Sequence, residues 1–249
     1  MKKYTCALAL AVMGFNGQVQ ADTVLGVYAG ADFWQSKTTG GFANTDQKQP
    51  FDFDKESQQA YYLAFEHFVP VLPNIRIQYM PLETQGLTTL NNTFNFAGTS
   101  FTAGSTVQGS LDLDSTDYIL YYELLDNPLL SLDLGLNAKH LKGDVTVATG
   151  SLRGTERLNE WLPMLYIDTK IGILATGLDV FASGSATRYN DSHLYDLQAG
   201  IGYQLVDNLL LDVRFKVGYR TMDLQLDDVN DLYADLKFKG VFAGVEIHF

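Results

Sequence analysis

Cysteine is nearly absent from this chain. The one copy, Cys6, lies in the first apolar stretch, so no intramolecular disulfide can brace the fold. Also absent is any run of about 18 uncharged apolar residues, the length that a membrane-crossing helix requires. Basic residues are scarce: 17 Lys and Arg stand against 29 Asp and Glu, and the net charge of −12 argues against a nucleic acid as principal partner. No Gly-x-Ser-x-Gly elbow occurs, and none of the four histidines is followed two residues later by serine.

What is present begins with a leader pattern. Lys2 and Lys3 precede the apolar run Tyr4 to Phe15, and Val19 and Ala21 flank Gln20 in an A-x-A-like site. These are the three regions of a secretory signal peptide, so residues 1–21 are expected to be removed and the mature domain to cover residues 22–249. The mature chain then has no cysteine, and losing Lys2 and Lys3 takes its net charge from −12 to −14.

Beyond residue 22 one pattern dominates, a two-residue alternation of apolar and polar side chains. Its clearest instance is Leu209 to Arg220, where Leu209, Leu211, Val213, Phe215, Val217 and Tyr219 share one face, opposite Asp212, Arg214, Lys216 and Arg220. That apolar face exceeds the soluble strand of about 5 or 6 residues and suits a tilted membrane-crossing strand of about 9 to 11. Related segments begin near Leu25, Tyr61, Ile75, Asp117, Leu130, Leu165, Leu178, Asp196 and Val241, for ten strands in all, or eight if the weak segment Leu178 to Thr187 belongs to a hairpin outside the sheet.

The connections alternate in length. Turn chemistry marks Val69 to Asn74, Leu125 to Pro128, Ile173 to Gly177 and Val206 to Asn208. Longer polar stretches are expected at Gln35 to Lys55, Leu87 to Ser115, Thr146 to Asn159, Asn190 to His193 and Asp227 to Leu232. Tight turns at one end and loops at the other predict an all-β fold, a transmembrane antiparallel up-and-down barrel with both termini on the periplasmic side. Hydrocarbon offers the backbone no hydrogen bonds, so such a sheet must close on itself.

The final residues, "GVFAGVEIHF", resemble the C-terminal sorting signal of bacterial outer-membrane proteins, which implies that Phe249 is read by the barrel-assembly machinery. The segments "TDYILYYEL" and "LDLGLNAKHLKGDV" resemble a family of small outer-membrane β-barrel proteins of unassigned function in Gram-negative bacteria. The resemblance implies an outer-membrane location, with membrane lipids and lipopolysaccharide as neighbours. It brings no catalytic residues, and no cofactor or metal is expected.

Parity then assigns the interior. Facing inward are the acids Asp32, Glu66, Glu123, Asp133, Asp168, Asp179, Asp196, Asp212 and Glu246 and the bases Arg76, Lys139, Lys170, Arg214, Lys216 and Arg220. An ion-pair network is expected among Glu66, Arg76, Glu123, Asp133, Lys139, Asp168, Lys170, Asp212, Arg214, Lys216, Arg220 and Glu246. Barrels of about eight strands are filled by side chains while wide pores need about 16 to 18, so ten strands predict a plugged polar lumen or a narrow passive pore, and the lack of His-x-Ser and Gly-x-Ser-x-Gly patterns predicts no enzyme. Two alternatives stay open. One is a lipid or peptide hydrolase using His193 with Asp191 and Asp196 at the rim. The other is a surface-binding barrel, in which the loop around Phe94, Phe96 and Phe101 forms an exposed ribbon.

Overall fold

The computed structural model describes residues 25–127, 129–208 and 211–249, so the expected signal peptide and the first two residues of the segment from Leu209 lie outside the described residues. The strands are β1 (Leu25–Ala43), β2 (Gln49–Pro50), β3 (Asp52–Phe53), β4 (Lys55–His67), β5 (Asn74–Thr89), β6 (Phe94–Phe96), β7 (Thr99–Phe101), β8 (Thr106–Asn127), β9 (Leu130–Thr149), β10 (Leu152–Ile173), β11 (Leu178–Tyr189), β12 (Ser192–Asn208), β13 (Leu211–Val229) and β14 (Leu232–His248). Ten of them, β1, β4, β5 and β8 through β14, form an antiparallel meander, with β14 paired to β1. The ladder closes the barrel, and beyond β14 Phe249 exchanges backbone bonds of 3.0 and 3.2 Å with Val27. The weak segment from Leu178 is β11, paired along its whole length with β12 and from Leu178 to Ala186 with β10.

Near the termini the alternation places apolar side chains outside. Phe33, Leu63, Ile77, Leu120, Leu136, Leu165, Ile201, Val217 and Val241 are all exposed, from nine different strands, and Leu165 is 70 % exposed. Exposed apolar side chains repeated around a whole closed sheet have no place in water, and they form the lipid-facing belt of a membrane-crossing barrel.

Toward the other end the polarity inverts. On β13 the inward face reads Arg214, Lys216, Gly218 and Arg220, and then Met222, Leu224 and Leu226; the outward face reads Phe215, Val217 and Tyr219, and then Asp223, Gln225 and Asp227. The change recurs on β8, where Leu111 and Leu113 are buried while Asp112 and Asp114 face out, and on β14, where Leu232, Leu236 and Phe238 are buried. The outer half is therefore a water-exposed tower around an apolar core, built like a soluble barrel.

This tower corrects the loop expectations. Three of the expected loops shrink to two-residue turns between paired strands, at Gly150 and Ser151, at Asn190 and Asp191, and at Asn230 and Asp231, with left-handed φ of 55°, 52° and 53° at Gly150, Asn190 and Asn230. The ribbon expected to be exposed, β6 and β7, is folded over the mouth instead. Its Phe96 and Phe101 are buried, because three phenylalanines on a polar ribbon gain most by covering the apolar core. Asn44 pins it, accepting a bond from Ala97 N at 2.7 Å and donating to Glu156 at 3.0 Å and to the Asp231 carbonyl at 2.6 Å.

One seam interrupts the wall. The β4–β5 ladder covers Tyr61–Tyr79 to Phe65–Ile75 and stops two residues before Pro81, which carries no N–H. Above it the Gln58 amide takes over, donating to the Glu83 carbonyl at 2.5 Å and accepting from Glu83 N at 3.3 Å. Higher still, β3 pairs with β5.

Candidate functional site

The lumen has three layers. Uppermost is the apolar core, in which Phe42, Leu111, Leu113, Val145, Leu158, Leu224 and Leu236 leave a void of only about 10 Å³. Below it lies a layer of buried charge. Arg220 grips Asp196 through two bonds of 2.9 and 2.8 Å, and Lys139, with no exposed surface, reaches Asp117 at 2.8 Å, Ser115 at 3.1 Å and Asp196 at 3.3 Å. Asn137 donates to Asp117 at 2.5 Å and to Ser185 at 3.0 Å. Two cations and two carboxylates thus balance, with the Arg220 guanidinium 5.1 Å from the centre of the Trp34 ring. The gap beneath is only about 30 Å³, room for about one water molecule.

The third layer is a polar cavity of about 430 Å³ at the periplasmic end. Its upper wall is a second ion cluster. Arg214 is bidentate to Asp179 and reaches Glu246 at 3.3 Å; Lys216 pairs with Asp32 at 3.1 Å and with the Tyr62 hydroxyl at 3.1 Å; Tyr62 donates to Glu246. Glycines on facing strands make room for these groups. A Cβ on Gly30 would strike the Tyr62 ring, and one on Gly244 would strike the Asp32 carboxylate.

The expected network forms only in part. Lys139, Arg214, Lys216, Arg220 and Glu246 are ion-paired, and Asp212 meets His248 at 3.2 Å. Among the described residues Glu66, Glu123, Asp133, Asp168, Lys170 and Arg76 make no ion pair. Arg76 lies 3.8 Å over the Tyr62 ring and bonds Gln78 at 3.3 Å; Glu66 accepts from Tyr121 at 2.7 Å, and Glu123 from Asn74 at 3.1 Å. Besides Glu246, the partners of the paired lumen cations are Asp32, Asp117, Asp179 and Asp196. All four share inward parity, and what parity leaves out is height along the barrel, which decides who meets whom.

The rim triad is not assembled. Asp196 faces inward under Arg220, whereas His193 lies 3.5 Å from Asp223 and packs 4.8 Å from the Tyr195 ring. Asp223 also holds Lys237 at 2.6 Å, and this hydrogen bond and charge raise the Lys237 ammonium above its ordinary range. His140 stacks on Trp161 at 4.4 Å on the outer surface.

A closed barrel with an apolar belt, tight turns at one end and a tower at the other defines an integral β-barrel of the bacterial outer membrane. No protein-family model and no curated protein matches the chain. Solved structures similar to it include the Yersinia pestis attachment invasion locus protein Ail in complex with the heparin analogue sucrose octasulfate. It is 10 % identical with TM-score 0.37, over 91 % of this chain and 100 % of that one. The outer-membrane protease OmpT of Escherichia coli is 9 % identical with TM-score 0.39, over 90 % and 96 %. The translocator domain of the autotransporter NalP of Neisseria meningitidis is 12 % identical with TM-score 0.37, over 92 % and 89 %. Likeness this distant decides nothing about activity.

Proposed function

We propose that this protein is a closed, non-conducting outer-membrane barrel that holds an apolar-cored tower at the cell surface, and that it catalyses no reaction. The observation that carries this reading is the apolar core itself. Leu113, Leu141, Leu224, Leu236 and Phe238 converge from four strands on one axis, and Phe42, Phe51, Phe53, Phe96 and Phe101 fill it from above. An ion crossing here would shed its water among hydrocarbon, after first opening the balanced Lys139–Asp196–Arg220 layer. The lipid belt and Phe249, as the residue read by the assembly machinery, belong to the same reading. Against a hydrolase, His193 has a carboxylate neighbour but no hydroxyl or thiol hydrogen-bonded to it among the described residues.

The test is single-channel recording of the mature barrel in planar bilayers. Silence is the expected result, and discrete steps reproduced by independently refolded samples would overturn the reading in favour of a narrow pore. Turnover of a lipid or peptide substrate that disappears in His193→Ala would overturn its non-enzymatic part.

A further inference from the structure

The periplasmic cavity carries a surplus of carboxyl groups that the ion pairs of the barrel do not use. Glu123 on β8, Asp133 on β9 and Asp168 on β10 stand directly opposite one another in successive ladders, with Glu123 against Asp133 and Asp133 against Asp168. Side chains so placed are about 4.5–5.5 Å apart at Cβ, and like charges there repel. Among the described residues the row makes no ion pair, and Glu123 accepts one bond, from Asn74. Asp133 Oδ1 is a buried oxygen with no hydrogen bond, and Asp168, half-buried at the cavity wall, has neither a hydrogen bond nor an ion pair among the described residues. Glu66 adds a fourth carboxylate to the same space. The two cations there that lack an ion pair, Arg76 and Lys170, are too few for the four.

Fold stability does not require this arrangement. The layer above shows how the same sheet neutralises charge when neutrality is all that is needed, with each buried cation bonded to its carboxylate. The cavity is also the wrong size for a bare ion. At about 430 Å³ it falls among small-molecule pockets, and no group of described residues has the arrangement to hold a metal ion. Its walls include the Tyr28 ring, stacked 4.1 Å from His248, and Tyr166; such faces suit alkyl chains and ammonium groups alike. We propose that the cavity binds a small aliphatic polyamine entering from the periplasmic rim, with its ammonium groups distributed along the Glu123–Asp133–Asp168 row and Glu66.

Spermidine is the probe. Mature protein refolded into nanodiscs, checked for folding by heat-modifiable mobility, is titrated by calorimetry. One saturable site per barrel is expected. Its Kd should rise at least about tenfold in Asp133→Asn/Asp168→Asn, which removes two charges from the row, and stay within about twofold in Asp114→Asn on the outer face. If the double variant does not fold, Glu123→Gln takes its place with the same expectation. A second measurement uses the cysteine-free mature chain. Ser131→Cys, at the cavity wall, should react faster with a trimethylammonium methanethiosulfonate than with its sulfonate counterpart, and spermidine should protect it. No saturable heat, a heat that magnesium chloride reproduces at equal charge, an affinity untouched by the substitutions, or a preference for the anionic reagent would each overturn the proposal.

Discussion

Phe215→Arg tests the polarity inversion most directly, because one strand carries both environments. Phe215 is the middle of five outward residues, Leu211 to Tyr219, and is 49 % exposed in the isolated chain, where lipid would cover it. An arginine near the bilayer midplane of such a barrel costs about 2–4 kcal/mol. That lowers the folded-to-unfolded ratio by about 30-fold to 1,000-fold. Gln225 occupies the same outward face farther along β13, beside Asp223 and Asp227. It lies in water in this structure, so Gln225→Arg should change stability by no more than about 0.5 kcal/mol. The inward residue at that height behaves oppositely. Leu224 is 1 % exposed, and Leu224→Ala should cost about 2–5 kcal/mol through lost burial and a cavity. The assay is equilibrium urea unfolding in phosphocholine vesicles followed by tryptophan fluorescence, with Trp34 reporting the lumen and Trp161 the belt. Equal costs for the two arginine variants would refute the inversion, as would a Leu224→Ala protein as stable as the parent.

Three further outcomes follow from single contacts. Asp196→Asn leaves Arg220 and Lys139 short of a buried counter-charge and should cost about 3–5 kcal/mol, with much of the loss recovered in Asp196→Asn/Arg220→Leu, measured by the same unfolding assay. Gln58→Ala strips the Glu83 backbone N–H and carbonyl of their partner at the β4–β5 seam and should cost about 1–3 kcal/mol; faster amide exchange confined to Glu83 and its neighbours is the local sign, and uniform exchange across β5 would contradict it. Asn44→Ala releases the β6–β7 ribbon, so limited proteolysis by chymotrypsin between Leu90 and Ser105 should quicken while cleavage elsewhere in the barrel does not; unchanged cleavage would mean that Phe96 and Phe101 hold the ribbon unaided.

Strand number, antiparallel order and closure were legible because a two-residue period survives any tilt or twist of the strand, and because Val241 to Phe249 carries it to the final residue. Parity makes most of the inward set legible, placing Asp32, Asp179 and Asp196 in the lumen, while Asp117 lies outside the expected inward acids although it pairs with Lys139. Pairing was not legible. It depends on strand stagger, which brings Lys139 on β9 to Asp196 on β12 and leaves Glu123, Asp133 and Asp168 abreast. The small ribbon was misread for a different reason. Asn, Thr, Ser and Gly around Phe94, Phe96 and Phe101 fit an exposed hairpin locally, and only the apolar mouth beneath makes burial the better outcome.

The inversion hid in plain view because period alone cannot say which face is inside. An apolar face turns toward whatever is least like water, which is lipid at the belt and the barrel axis above it. On β13 the switch needs no bulge: Arg220 and Met222 point inward in unbroken alternation, and the exchange of polarity between Tyr219 and Asp223 is written in residue type alone. The water boundary must therefore cross each strand where outward tyrosine or tryptophan gives way to outward acid. Tyr79 before Glu83 and Tyr118 after Asp114 mark that level on β5 and β8. On β5 and β8 the Tyr79 hydroxyl bonds Asp114 at 2.5 Å across the boundary. Such a line, drawn from sequence once parity is known, separates the charged lumen from the apolar core and so locates the plug.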